Sequence, residues 1–433
     1  MGGLFAQART AACASDYVGA LVCTPQAGST WALAEAAGHA TPGRFQALLR
    51  EAVWDHADLI ERVNGHVVAQ LADGEEAGVF IVDETAMIKH GRSSVGVSTQ
   101  HAGVTGRLEN CQTIVNAVFD NGSVEAWIDF RLYLPEAWAS DAARRASAAV
   151  PEPVAFKTKP ALAADMLAAA IGRGLPVRWL AGDEVYGAAG DLREAAEAAG
   201  IGFVVAVRSN HWIDLDSGEH LTCEDALASV APSLVWETRS CGTGSKGMRF
   251  YQWAHLGLAD GTVLLMRRRT AGKDCEKVDF YLCRAPSGTI CPPSVFLHIC
   301  GRRWPIEEIH RDAKQLACMD AYQVRTWAAL HRHLALAMTA MLIYTLAEAA
   351  ETTRSNWNPA FHLPKHPGQP IPADLPPIPP SRYEIRARLA LLIAHHPTDR
   401  ETHQAHWSIW RRRYLSRARW HHHQTRLRIA LAA

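Results

Sequence analysis

From about residue 4 to 75 the apolar positions recur at helical spacing in Ala-rich stretches. These are broken at Thr24-Pro25 and at Thr41-Pro42-Gly43. Thr41 reads as an N-cap with Pro42 at the first helical position, followed by helical periodicity over Phe45–Leu59. The period then shortens. Gly78–Val82 is nearly continuous in apolar residues, as a strand buried on both faces would be. Cys111–Phe119 and Val124–Leu134 predict two more strands, and Asp120-Asn121-Gly122 between them is a hairpin signal. A helix over Pro160–Gly172, a strand over Val177–Leu180, a helix over Ala188–Ala199 and a strand over Gly202–Val207 follow. A strand-rich opening that gives way to alternating strands and helices predicts a mixed α/β sheet.

From about Trp212 to Ser294 the texture changes to short strands at Val235–Thr238, Arg249–Leu256, Thr262–Arg267 and Val278–Cys283, which predicts a β-rich insertion. Helices resume at Trp304 and run to about Ala350. The apolar run Leu334–Ala347 within them is too short to span a bilayer and reads as a core helix. Residues 351–380 hold nine of the 22 prolines and read as a linker. The predicted organisation is therefore a helical N-terminal region over 1–75, a candidate for DNA binding. A core follows in two parts, 76–211 and 296–350, around the insertion at 212–295. The linker 351–380 and an Arg-rich, helical tail over 381–433 complete it.

Composition changes the picture little. With 433 residues, 48% hydrophobic and 20% charged, the chain has the balance of a soluble globular protein of two or three domains. Lys+Arg and Asp+Glu both number 44, so any nucleic-acid surface must come from local concentration of basic residues. The tail supplies it, with Arg382, Arg386, Arg388, Arg400, Arg411, Arg412, Arg413, Arg417, Arg419, Arg426 and Arg428. His421-His422-His423 fits solvation or DNA contact there better than a metal site. Ten cysteines with no CxxC pair argue against a zinc site or a disulfide scaffold. With no basic, then apolar N-terminal segment, they predict a cytoplasmic protein without a membrane partner. Gly242–Gly247 (GTGSKG) lacks P-loop spacing and reads as a hairpin turn.

Candidate chemistry lies in three acidic settings. Asp83-Glu84 and Asp183-Glu184 each end an apolar run, where groups at the carboxyl ends of strands collect ligands. Strand parity lets only one of Asp83 and Glu84 face a given site. An acid at a strand end is also an ordinary loop residue. Asp183 could cap a helix after Gly187, but it lies several residues too early for that. In the third setting Pro305 opens a helix on which Glu307, His310, Arg311 and Lys314 share one face and Ile306, Ile309, Ala313 and Leu316 the other. Glu308 falls about a quarter turn away. A solvated amphipathic helix is the plain alternative. Converging carboxylates that hold divalent ions would unite the three settings around phosphodiester chemistry.

These residues resemble bacterial insertion-sequence transposases of the DDE type, which have an RNase H-like catalytic core. Arg303, Glu307 and Lys314 match the Arg-x3-Glu-x6-Lys signature, and Cys300 stands where the family has Tyr. Val82-Asp83-Glu84-Thr85 with Lys89, Gly91, Ser94-Val95-Gly96-Val97 and Glu109-Asn110-Cys111-Gln112 is similar to one branch of the family. So are Gly182-Asp183-Glu184-Val185-Tyr186-Gly187, Leu132-Tyr133-Leu134-Pro135 and Asp320–Trp327. The resemblance implies that Asp83, Asp183 and Glu307 are the catalytic ligands of two Mg²⁺ ions, with Mn²⁺ able to substitute. It further implies DNA contacts by Arg303, Arg311, Lys314 and Lys89, and a homodimer in the synaptic complex with transposon ends and target DNA. The reaction it implies is cleavage at insertion-sequence ends followed by strand transfer of the 3′-hydroxyl. An insertion Trp (Trp212, Trp236 or Trp253) would steady a flipped base, although each reads first as a core residue. Two other readings are an inactive or domesticated DNA-binding relative and a different RNase H-like nuclease.

Overall fold

The computed structural model describes residues 3–24, 29–71, 77–244, 247–270, 276–355, 379–393, 399, 402–414 and 421. Four helices open the chain: α1 (Ala8–Cys23), α2 (Thr30–Ala36), α3 (Gly43–Arg50) and α4 (His56–Leu71). The single period expected over Phe45–Leu59 is in fact two helices. Pro42, not Thr41, is the N-cap of α3, in αR conformation and with no side-chain cap bond. The strands that follow are β1 (Gly78–Ile88), β2 (Ser98–Ala102), β3 (Arg107–Asp120) and β4 (Glu125–Tyr133). The β3–β4 turn forms as expected. Asp120 accepts from the Gly122 amide, and Gly122 takes φ +82°, which only glycine adopts freely.

Short helices α5 (Glu136–Ala139) and α6 (Ala142–Ser147) lead to α7 (Lys159–Gly172), β5 (Val177–Gly182), α8 (Glu184–Gly187), α9 (Gly190–Ala198) and β6 (Gly202–Val207). Thr158 caps α7 through the Ala161 amide, with Pro160 in its first turn. The core strand order is β4-β3-β1-β5-β6, with β1/β3 and β3/β4 antiparallel and β1/β5 and β5/β6 parallel. This is the mixed α/β sheet of an RNase H-like core. β1 lies at its centre, and Val79, Phe80, Ile81 and Val82 are fully buried because both faces and both edges are covered.

The insertion begins with a hairpin, β7 (Trp212–Asp214) and β8 (His220–Thr222), then α10 (Cys223–Val230). It continues as β9 (Glu237–Gly244), β10 (Gly247–Gly257), β11 (Val263–Arg269) and β12 (Val278–Arg284). Gly244 pairs with Gly247, so GTGSKG joins two antiparallel strands; its residues 245–246 lie outside the described part. β12 pairs antiparallel with β6, so these four strands extend the core sheet to ten instead of forming a separate layer.

Helices α11 (Pro293–Gly301), α12 (Pro305–Ala317) and α13 (Trp327–Ser355) follow. α13 is long and apolar enough to cross a membrane by length and composition, which the Leu334–Ala347 run alone did not suggest. Its residues Leu334–Met338 are nevertheless fully buried. The N-terminal helices pack on it: Tyr17 Oη lies 2.9 Å from His333 Nδ1, and Tyr344 donates to the Val22 carbonyl at 2.7 Å. The last labelled helix is α14 (Arg382–Ile393), and residues 402–414 are also helical. The described tail folds back on the body. Arg382 is buried, Arg388 and Arg411 pair with Glu351 and Glu35, and Trp407 is buried with its indole N–H on the His39 carbonyl. Arg412 and Arg413 are exposed. Arg400, Arg417, Arg419, Arg426, Arg428, His422 and His423 lie outside the described residues, as does most of the Pro-rich stretch.

Candidate active site

Parallel pairing of β1 and β5 sets Val82 opposite Gly182, so the next residues, Asp83 and Asp183, emerge side by side. Gly182 makes this approach possible. A Cβ there would sit 2.9 Å from Tyr186 Cβ and 3.4 Å from Val82 Cγ1. Asp183 proves to be an N-cap after all. α8 starts at Glu184, earlier than expected, and Asp183 Oδ1 accepts from the Val185 amide at 2.9 Å. Asp83 Oδ1 likewise accepts from the Glu84 amide at 2.8 Å. One carboxylate oxygen of each aspartate is thus used locally.

Three bonds lay α12 along β1 and β3. Arg303, just before it, reaches Asp83 Oδ2 at 3.3 Å; His310 Nε2 meets Asn116 Nδ2 at 3.1 Å; Lys314 donates to Thr85 Oγ1 at 2.7 Å. Ile306, Ile309, Ala313 and Leu316 are buried as their phase predicts. Glu307 is thereby held at the same cleft as Asp83 and Asp183, with Arg303, Arg311 and Lys314. The cleft has a volume of about 730 Å³. Glu308 faces away, into a different cavity beside Glu125 and Arg382.

Charge in the cleft is crowded. Burial, then Asp183, push Asp83 up to about 8, against the lowering effect of Arg303; Glu307 and Glu84 add to the rise. Burial and Glu84 also raise Asp183. Burial alone would lower Arg303, but Asp83, Glu307 and Asp183 hold it above its ordinary value. His310 shares the helix face of Glu307, yet burial, helped by Lys314 and Arg303, drives it down to about 3. It is neutral at pH 7 and serves as a strut, not a phosphate contact.

The basic residues divide. Arg311 is half exposed, bonded to Asp312, and lines the cleft. Lys314 lines it too, with its ammonium directed at β1. Lys89 is not among the lining residues. Its ammonium lies 3.5 Å over the Tyr322 ring and donates to the Tyr322 carbonyl, and burial lowers it to about 8. Cys300 is buried on α11 with its thiol pushed up to about 11 by burial, so the Tyr contact of the signature has no counterpart there. Among the tryptophans, Trp253 is buried with its N–H on the Arg239 carbonyl, and Trp236 lies under Arg268. Trp212 is no core residue. It is 57% exposed, stacks on His220 at 4.8 Å, and lines a cavity with Glu184, Val185 and Arg208, all three of which also line the cleft. The β2–β3 hairpin, which the residue pattern does not predict, brings His101 and Val104 to the same cleft. Four polar residues of five in β2 hid it.

Residues 1–213 match the sequence model of a family described as DDE superfamily endonuclease. The matched stretch is 213 of the 433 residues, and over it the chain is similar to that superfamily. The match includes Asp83 and Asp183 and stops before Glu307, whose place rests on the geometry of α12. No curated protein matches. Among solved structures, the crystal structure of Kluyveromyces polysporus Argonaute with a guide RNA is similar at 10% identity and a TM-score of 0.23. The likeness covers 66% of this chain and 29% of that one. So remote a likeness carries no argument.

DDE-type nucleases use divalent metal ions, and the donors here suit a hard cation. All are carboxylate oxygens, and burial raises both aspartates, with Asp183 adding to the rise of Asp83 and Glu84 to that of Asp183. Among the described residues, as they stand, no group of three or more acidic, His or Cys side chains is placed to hold a metal ion. The Arg303 guanidinium stands between Asp83 and Glu307.

Proposed function

We propose that this chain is a DDE endonuclease that works as a cut-and-paste DNA transposase. In this reading it cleaves DNA at the ends of an insertion sequence and transfers the freed 3′-hydroxyl to target DNA. The observation that carries the reading is the meeting of Asp83, Asp183 and Glu307 at one cleft whose third wall is a helix bearing Arg311 and Lys314. Asp83, Asp183 and Glu307 would hold two divalent cations, Mg²⁺ or Mn²⁺, which supply Lewis-acid stabilisation to in-line displacement at phosphorus. Arg303, Arg311 and Lys314 position the phosphates, a role that orients the strand without reading sequence. Trp212, exposed at the margin, stacks on an unpaired base. A homodimer that pairs two DNA ends fits strand transfer, in which both ends must reach one target.

The test is a strand-cleavage and joining assay with Mn²⁺ on DNA carrying the flanks of the protein's own gene. Cleavage and joining by the wild type, both lost in Asp183→Ala, are expected. Hydrolysis without joining would make it a nuclease of another kind. Binding without cleavage would make it an inactive DNA-binding relative.

A further inference from the structure

Arg303 lies on the oxygens that a divalent cation would need. Its Nη1 is 3.3 Å from Asp83 Oδ2 and its Nη2 is 3.6 Å from Glu307 Oε1. Asp83 Oδ1 already accepts from the Glu84 amide, so Oδ2, which faces Arg303, is the less engaged oxygen for a cation. A guanidinium does not lose its proton at working pH and so cannot yield by neutralising. It can only rotate away. A divalent ion and a guanidinium at contact distance from the same oxygen repel each other strongly in a partly desolvated site.

We propose that Arg303 is a resident counter-cation that competes with divalent metal for Asp83 Oδ2 and Glu307 Oε1, and that DNA phosphate relieves this competition by drawing the guanidinium off. The proposal rests on the metal reading above and adds a coupling to it. Phosphate bound to Arg303 frees the carboxylates, so DNA tightens metal binding. By linkage, metal tightens DNA binding by the same factor. The protein then loads metal poorly away from DNA, which restrains stray cleavage.

Mn²⁺ binding to the full chain without DNA, followed by the loss of the free-ion electron paramagnetic resonance signal, tests this. Arg303→Gln should bind Mn²⁺ on the order of tenfold more tightly than wild type, and Arg303→Lys should stay near wild type. Adding a short duplex should tighten wild type and leave Arg303→Gln little changed. Asp83→Asn should weaken Mn²⁺ binding in both backgrounds. Equal or weaker binding by Arg303→Gln with the Asp83 dependence kept overturns the proposal and leaves the metal reading standing. Loss of Asp83 dependence overturns both. The wild type alone offers an independent check that needs no variant to fold. Phenylglyoxal modification of Arg303, read by peptide mass spectrometry, should rise several-fold with saturating Mn²⁺. Unchanged or reduced modification overturns the proposal.

Discussion

The Tyr186 hydroxyl donates to Glu84 Oε2 at 2.7 Å while Lys159 takes Oε1 at 2.6 Å, so both oxygens of Glu84 are satisfied. Its neighbour Asp83 keeps Oδ2 with a single charged partner, Arg303. This difference separates two adjacent acids that strand parity alone leaves equivalent. Asp83→Asn is expected to lower DNA cleavage by roughly 10²–10³-fold or more. Tyr186→Phe, acting through Glu84, should cost about 10- to 100-fold in metal affinity or turnover. Single-turnover cleavage of both variants measures the contrast, and equal losses would mean that Glu84 shares the ligand role.

Trp212 presents an exposed ring beside the cleft on a His220 base. Trp212→Ala should weaken binding of single-stranded or end-distorted DNA by about 1–3 kcal/mol, the worth of one base stacked on an aromatic ring. Intact duplex binding and the melting temperature should change little. Fluorescence anisotropy on paired substrates reads the difference; a uniform loss on all DNAs would argue against stacking.

Arg382 is buried against Asp312 at 3.1 Å and Glu348 at 2.9 Å, which ties α14 to α12 and α13. The sequence placed this arginine in a DNA-binding tail; the fold uses it inside. Arg382→Ala takes the buried partner from Asp312 Oδ2, leaving that carboxylate only the half-exposed Arg311, and should destabilise the protein by about 3 kcal/mol. Adding Asp312→Asn should recover part of the loss. Urea denaturation of the two singles and the double measures the coupling.

Burial holds His310 and His331 near 3 and His333 near 4, all below the ordinary 6.5. The unfolded chain therefore binds protons between pH 6.5 and these values that the folded chain does not. The stability from the neutral rings is complete above about pH 6.5 and is lost as pH falls toward 4 and 3. Each ring removes up to about 1.4 kcal/mol per pH unit in that window. Denaturation curves at pH 7.5, 6 and 5 should show the fall, and His333→Gln should make it shallower by about one proton.

Much of the core was legible. A continuous apolar run marked β1, a short one ended β5, Asn-Gly chemistry marked the β3–β4 turn, and helical phase chose Glu307 over Glu308. These signals are local, because side-chain direction follows from backbone period. The motif resemblance then chose Asp83 and Asp183. Elements without a strong period were lost: the polar strand β2 and the short helices α5, α6 and α8. Missing α8 also concealed the capping role of Asp183.

Other features depended on residues distant in the chain. The partners that occupy Glu84, the seat of Lys89 on Tyr322, the burial of Arg382 and the exposure of Trp212 all follow from which surfaces meet. Charge and aromaticity are written in the sequence, but whether a side chain spends them on the protein or on a ligand is set by its neighbours in space. By itself the sequence determined the central strands of the sheet, the acidic strand ends and the basic helix. Tertiary packing decided which of those groups face the cleft and which are buried among partners inside the fold, since a side chain enclosed by the protein is not presented to DNA or metal.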